Sequence, residues 1–290
     1  MQISKQIIDE AAEFLAPRVR RTPLERSPVL ERVLGVPVWI KLECLQATGS
    51  FKLRGAWFYL SKMKSEERML GVATCSAGNH GKGLAFAARE YGVPSTVYVP
   101  ASIHDAQERD IAGLGARVVK SAFQGFDESA DWAAQEAARE GLHCVSALDH
   151  PWIMAGNGGS LAVEILEQTP EARTFLVPAG SGGLGAGFSF VLKEVNPRLR
   201  FVACQHEASP ALKLSLERGE AVTRMPEIET LAGGMGRGIG EQAFQVLLGR
   251  VDEIALVSEA QIHEAVRWMI REHRILIEPA AAVTLAAALG

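Results

Sequence analysis

From about residue 70 onward, short β-branched runs alternate with stretches of helical period. "GVATCS" leads into "GKGLAFAAREYG", "PSTVYVP" into "HDAQERDIAGLG", and "ARVVKS" into "DESADWAAQEAAREG". "LHCVS", "TFLVPAG" and "RFVACQHE" continue the series, with "GSLAVEILEQ" and "SPALKLSLERG" as helices between them. Strand–helix alternation at this spacing predicts parallel sheets with helices on both faces, because a parallel pair needs a crossover long enough to hold a helix. Near the end, "EIALVS" precedes "EAQIHEAVRWMIREH", where Ile262, Ala265, Val266 and Met269 fit a 3.6-residue period. The opening "MQISKQIIDEAAEFL" reads as an amphipathic helix. No low-complexity linker or internal repeat divides the chain. The segment 66–148 holds βα units of its own, which predicts a small domain (66–148) inserted into a large one (1–65 and 149–290). The expected class is therefore α/β, with two open, twisted, mostly parallel sheets, and ligands favour the cleft between two such sheets.

Composition narrows the function classes. The 48% hydrophobic content supplies a substantial core, while a formal charge of −4 and a pI near 6.0 give no basic surface for nucleic acid or anionic membranes. The first helix carries acidic residues and lacks the uninterrupted apolar core of a signal peptide. The apolar tail "EPAAAVTLAAALG" is too short to cross a bilayer. Cys44, Cys75, Cys144 and Cys204 have neither metal-ligand nor redox spacing, so structural burial is expected for each, in a reducing cytoplasm.

Three stretches carry chemistry. "TGSFKLRGAWFYL" puts Lys52 at a helix start, with Ser50 as the expected N-cap. The helix dipole disfavours a cation there. The ordinary reading is a solvated lysine; the sharper one is an amine kept neutral by dipole and burial so that it can act as a nucleophile. "CSAGNHGKG" forms a strand-to-helix turn whose backbone N–H groups suit an anion such as a carboxylate, and Asn79 adds an amide. Plain turn chemistry would also explain it, and His80 is given no acid–base role. In "PAGSGGLGAG", Gly180, Gly182 and Gly185 satisfy G-x-G-x-x-G, with Glu207 at the end of the next strand, so a dinucleotide-dependent dehydrogenase is a rival. That rival leaves Lys52 and the extra Gly183 and Gly187 unexplained. The small residues from Gly180 to Gly183 suit a tight cup around one terminal phosphate instead. An amine nucleophile, a carboxylate-binding turn and a phosphate cup together point to pyridoxal 5'-phosphate.

With these residues in place, the chain resembles the threonine/serine dehydratases and serine racemases of the tryptophan-synthase-β-like (type II) pyridoxal-phosphate enzymes. The resemblance rests on "KLECLQATGSFKLRGA", "SAGNHGKG", "VPAGSGGLGAG" and "IEPAAAV" in that order, and covers nearly the whole sequence. It implies that Lys52 forms the Schiff base with the cofactor and then takes the substrate Cα proton. Phe51 would pack on the pyridine ring and Asn79 would bond its phenolic oxygen. Gly180, Ser181, Gly182, Gly183 and Leu184 would hold the phosphate, and Ser76, Ala77, Gly78, Asn79 and His80 the substrate carboxylate. The implied reaction removes water from a small hydroxy amino acid, L-threonine or L-serine, giving a 2-oxo acid and ammonia, in a cytoplasmic homodimer.

Four departures qualify the resemblance. Racemases of the group carry a serine where this chain has Ala77, so dehydration is expected over racemisation. The carboxylates that bind a divalent cation in many members match Gln205 and Gly233, so no metal site is expected. The tract "LAGGMGRGIGEQAF" and the stretch "AGNGGSLAVE" depart from the usual forms and hint at an altered substrate pocket, as in a subgroup acting on 3-hydroxyaspartate or in ectoine breakdown. The sequence ends at Gly290, before the segment that supplies the pyridine-nitrogen partner, and Glu278 is not assigned that bond; feedback by isoleucine through a C-terminal domain is not expected. β-Replacement enzymes usually carry a Thr-Ser-Gly-Asn-Thr-Gly turn instead of "SAGNHGKG", and a non-catalytic cofactor-binding protein is the third reading.

Overall fold

Each run read above as a parallel strand forms one in the computed structural model, which describes residues 1–147 and 149–290. The alternation did not reveal a short antiparallel pair, β1 (Leu24–Arg26) with β2 (Trp39–Lys41), in register Leu24↔Lys41. Three residues per strand are too few to show a period. The chain divides into two compact units, residues 1–12, 21–44 and 148–290, and residues 13–20 and 45–147. Residues 45–65 thus pack with the smaller unit, whereas the sequence reading put them with the larger domain; Leu148, at the expected boundary, lies outside the described residues.

The smaller unit is built on a parallel sheet ordered β5-β4-β3-β6, with β3 (Val72–Cys75), β4 (Ser95–Val99), β5 (Arg117–Lys120) and β6 (His143–Cys144). Strand β4 shows why both faces are apolar. Val97 and Val99 pack with Ala85 and Ile111 on one side, while Tyr98 packs with Ala133 and Ala137 on the other. Alternate side chains of a strand point to opposite faces, so a sheet covered twice needs apolar residues at both. The covering helices are Asn79–Glu90 and Asp105–Gly113 on the first side and Phe126–Arg139 on the second.

The larger unit holds a second parallel sheet, β7 (Thr174–Pro178), β8 (Arg200–His206) and β9 (Glu253–Val257), in that order. One of its cores joins Val202, Cys204 and Val257 to Ile262, Ala265 and Met269 of the Glu259–His273 helix and to Val283 and Ala286 of the Pro279–Leu289 helix. Val266, the fourth periodic position, is partly buried against the same cluster. Ser258 opens the Glu259–His273 helix with a reciprocal cap, its hydroxyl taking the Gln261 N–H while the Gln261 side chain takes the Ser258 N–H.

Two expectations need correction. Burial holds fully only for Cys204, whose thiol burial pushes up to about 12; Cys44 and Cys75 are half-buried and Cys144 is exposed, because β6 lies at the sheet edge. "AGNGGSLAVE" belongs to the framework. Its first five residues form a fully buried wide turn, Ala155–Gly159, and a Cβ on Gly158 would stand 2.0 Å from Leu184 O. A Cβ on Gly187 would meet Met154 O at 2.0 Å. Glycine on both partners lets two backbones touch, which seats the helix that begins at Gly183. Among the described residues, no helix is long and apolar enough to cross a membrane.

Candidate active site

In the smaller unit the helix Lys52–Lys62 starts at the candidate nucleophile itself. Ser50 is not the formal cap, because the helix begins one residue later than expected and Phe51 fills that place. The Ser50 hydroxyl nevertheless accepts the Lys52 N–H at 3.2 Å, so it still satisfies an N-terminal donor. Lys52 is half-buried, with Nζ 5.3 Å from the Phe51 ring centroid. The helix packs on Asn79–Glu90, and the reason is visible at Gly83: a Cβ there would lie 3.0 Å from the backbone C and O of Lys52 and from the Leu53 N. Gly83 sits one helical turn beyond Asn79. The lysine and the asparagine turn are thus held together inside one compact unit by a close backbone approach at a position where a Cβ would be tight.

The asparagine turn is set by its own short side chains. The Ser76 N–H reaches Tyr98 O at 3.0 Å, continuing the sheet, and the Ser76 hydroxyl accepts the Gly78 N–H at 3.3 Å. The first bond along the helix runs from Lys82 N–H to Gly78 O, so the N–H groups of residues 79–81 point out of the N-terminal end of a 12-residue helix. His80 is buried, and its Nε2 faces Val145 O at 3.4 Å. Nothing lies within 4 Å of where a Gly78 Cβ would be. The turn is open on that side.

In the larger unit, β7 ends at Pro178 and the glycine turn leads into the helix Gly183–Val195. Gly182 has φ +94°, a left-handed conformation that favours glycine, and its missing Cβ leaves room for Ile239 and Ala243. A Cβ on Gly180 would stand 2.2 Å from Gly234 O. The glycine-rich tract at 232–240 therefore covers this turn, tied by the Gly240 N–H to Ser181 O at 3.2 Å. The tract is itself anchored at both ends. Asp149 accepts from the Ala243 N–H at 2.8 Å and the Gln242 N–H at 3.2 Å, and Glu259 accepts from the Thr230 hydroxyl at 2.6 Å and the Leu231 N–H at 2.9 Å. Burial alone would raise the Glu259 carboxyl, but the bonds from Thr230, Leu231, His206 and His263 outweigh it and hold it at about 2.

The first bond inside the Gly183–Val195 helix is Ala186 N–H to Gly182 O at 2.8 Å. The N–H groups of residues 183–185 precede it and point out of the helix end. A fan of backbone donors, no acidic side chain in the first turn, and a path too narrow for any Cβ fit a dianionic phosphate. The site residues named from sequence thus fall into two groups, Phe51, Lys52 and Ser76–His80 in the smaller unit and Gly180–Leu184 in the larger. Sequence reading missed Gly83, Asp149 and Glu259. Gly83 stands inside a stretch already singled out, but its packing partner is set by tertiary contact.

A family model described as pyridoxal-phosphate dependent enzyme matches residues 15–290. The chain is 38% identical over 285 residues to an L-threonine ammonia-lyase of Geobacter sulfurreducens, covering 98% of this chain and 70% of the relative. It is 35% identical over 291 residues to an L-threonine ammonia-lyase of Thermotoga maritima, covering 99% and 71%. Among solved structures, maize serine racemase superposes with a TM-score of 0.95 at 28% identity, covering all of this chain and 87% of that one. A serine racemase from Dictyostelium discoideum gives 0.91 at 29% identity, covering 99% and 92%.

Proposed function

Because the chain belongs to the pyridoxal-phosphate dependent enzyme family, we infer that it is an ammonia-lyase that dehydrates a small hydroxy amino acid, L-threonine or L-serine, to a 2-oxo acid and ammonia. The bound cofactor supplies an electron sink for the charge that develops at the substrate Cα. The roles of the protein are binding and proton transfer. Lys52 would hold the cofactor through its amine, and its Nζ would take the substrate Cα proton. Ser76–His80 would hold the carboxylate, through the Asn79 amide and the outward N–H groups of Asn79 and His80, and Asn79 would also bond the cofactor's phenolic oxygen. Gly180–Leu184 would hold the phosphate, and Phe51 would pack against the ring. The β-hydroxyl departs as water, water adds back to the dehydrated product, and ammonia leaves, so the net change is hydroxy amino acid to 2-oxo acid plus ammonia.

The observation that carries this reading is the Gly83 contact, which sets Lys52 beside the asparagine turn. Ala77 carries no transferable proton, which favours elimination over return of a proton to the opposite face. We propose further that the enzyme works as a cytoplasmic homodimer. A panel of D- and L-hydroxy amino acids tests the function: 2-oxo acid released from L-threonine or L-serine is expected. Racemisation faster than elimination would refute the argument from Ala77, and no 2-oxo acid from any member would refute the reaction.

A further inference from the structure

Three carbonyls around the second glycine turn each meet a donor. Ala179 O accepts from Gln205 Nε2 at 2.9 Å, Ser181 O from the Gly240 N–H at 3.2 Å, and Gly182 O from the Ala186 N–H at 2.8 Å. Two of these donors are backbone; the first is a side chain. Strands β7 and β8 pair as far as Pro178↔Cys204, and the Ala179 N–H still reaches Cys204 O at 2.9 Å. There the ladder ends, and the Gln205 amide supplies the next rung. Gln205 is only 1% exposed, and its orientation is forced. Its Oε1 accepts the Lys213 N–H at 3.0 Å, which can only donate, so its NH2 group must face Ala179 O, which can only accept.

A trans peptide holds its C=O and the following N–H antiparallel in one plane. No peptide bond among the described residues is cis. Fixing Ala179 O therefore aims the Gly180 N–H the opposite way, and fixing Ser181 O does the same for the Gly182 N–H. We propose that Gln205 is a positioning residue for phosphate recognition: its amide locks the peptide plane at the entry to the turn so that the Gly180 N–H faces the anion. Asp149 supports the second lock by holding residues 242 and 243, next to Gly240. The inference rests on reading 180–184 as the phosphate cradle.

The test compares binding of pyridoxal 5'-phosphate with that of pyridoxal, which lacks the phosphate, by absorbance titration of the apo-protein. The variants are Gln205→Met, which keeps volume but loses both hydrogen bonds, and Gln205→Glu, which keeps the acceptor for Lys213 and loses the donor for Ala179. Both should weaken the phosphorylated ligand roughly tenfold and leave pyridoxal within about twofold of the parent. Equal weakening of both ligands would mark Gln205 as merely structural and overturn the proposal. So would failure of both variants to fold, since the effect must be confined to the turn. A parent protein with no preference for the phosphorylated aldehyde would refute the cradle itself, whereas a preference that survives in both variants would sink only the role of Gln205.

Discussion

The two glycine turns solve the same problem by opposite means. Both end a parallel strand, both open a helix of 12 or 13 residues, and both aim backbone N–H groups outward. The turn at 76–80 is shaped by its own side chains, chiefly the Ser76 hydroxyl, and stays open at Gly78. The turn at 180–184 is shaped from outside, by a tract that presses Gly234, Ile239 and Ala243 where side chains would otherwise be. An open turn with polar side chains suits a ligand that arrives and leaves in every cycle. A closed turn of backbone alone suits a group that stays. On the proposed reading, the difference between a carboxylate that exchanges and a phosphate that stays would therefore lie in what surrounds each turn, more than in its glycine count.

The largest effect should come from Lys52→Ala. It should abolish release of 2-oxo acid, at least ~1000-fold, with the unfolding midpoint little changed, because a half-buried side chain is removed while the backbone contact to Gly83 stays. Gly180→Ala tests the closed turn. A Cβ 2.2 Å from a backbone oxygen forces the covering tract away, at a cost of about 3 kcal/mol, or a fall in Tm of roughly 6–12 °C by calorimetry. Gly78→Ala tests the open one. With nothing within 4 Å, stability should change by less than about 1 kcal/mol, while kcat/KM falls about tenfold or more because the added methyl occupies ligand space. Equal stability losses in the two alanine variants would erase the contrast.

The smallest effect concerns the anchor of the covering tract. The Glu259 carboxyl has a folded value of about 2 against an ordinary 4.5. A lowered folded value contributes stability that is complete above about pH 4.5 and is lost as the pH falls from there through about 2. Denaturant titrations at pH 7 and pH 3 should show the parent losing about 1–2 kcal/mol more than Glu259→Gln, allowing for partial solvent screening.

The parallel strands and the turns from strand to helix were legible because period and turn chemistry are local properties. β4 and β8 alternate or run apolar as strands covered on both faces must, and each glycine turn sits where a strand hands over to a helix. What was not legible depends on approach between distant segments. "LAGGMGRGIGEQAF" looked like a pocket variation, and the structure packs its residues over the turn at 180–184. Gln205 looked like a lost carboxylate, and the structure gives its amide two backbone partners. Gly83 looked like one more turn glycine, although its task is to admit the Lys52 backbone. The short β1–β2 pair has too few residues to register in any pattern.

The most direct test is to load the protein with pyridoxal 5'-phosphate, reduce it with borohydride and map the peptides by mass. A phosphopyridoxyl group on the peptide bearing Lys52, absent from Lys52→Ala, is the predicted result. The same tag on a different lysine, or no tag in folded and saturated protein, would contradict it.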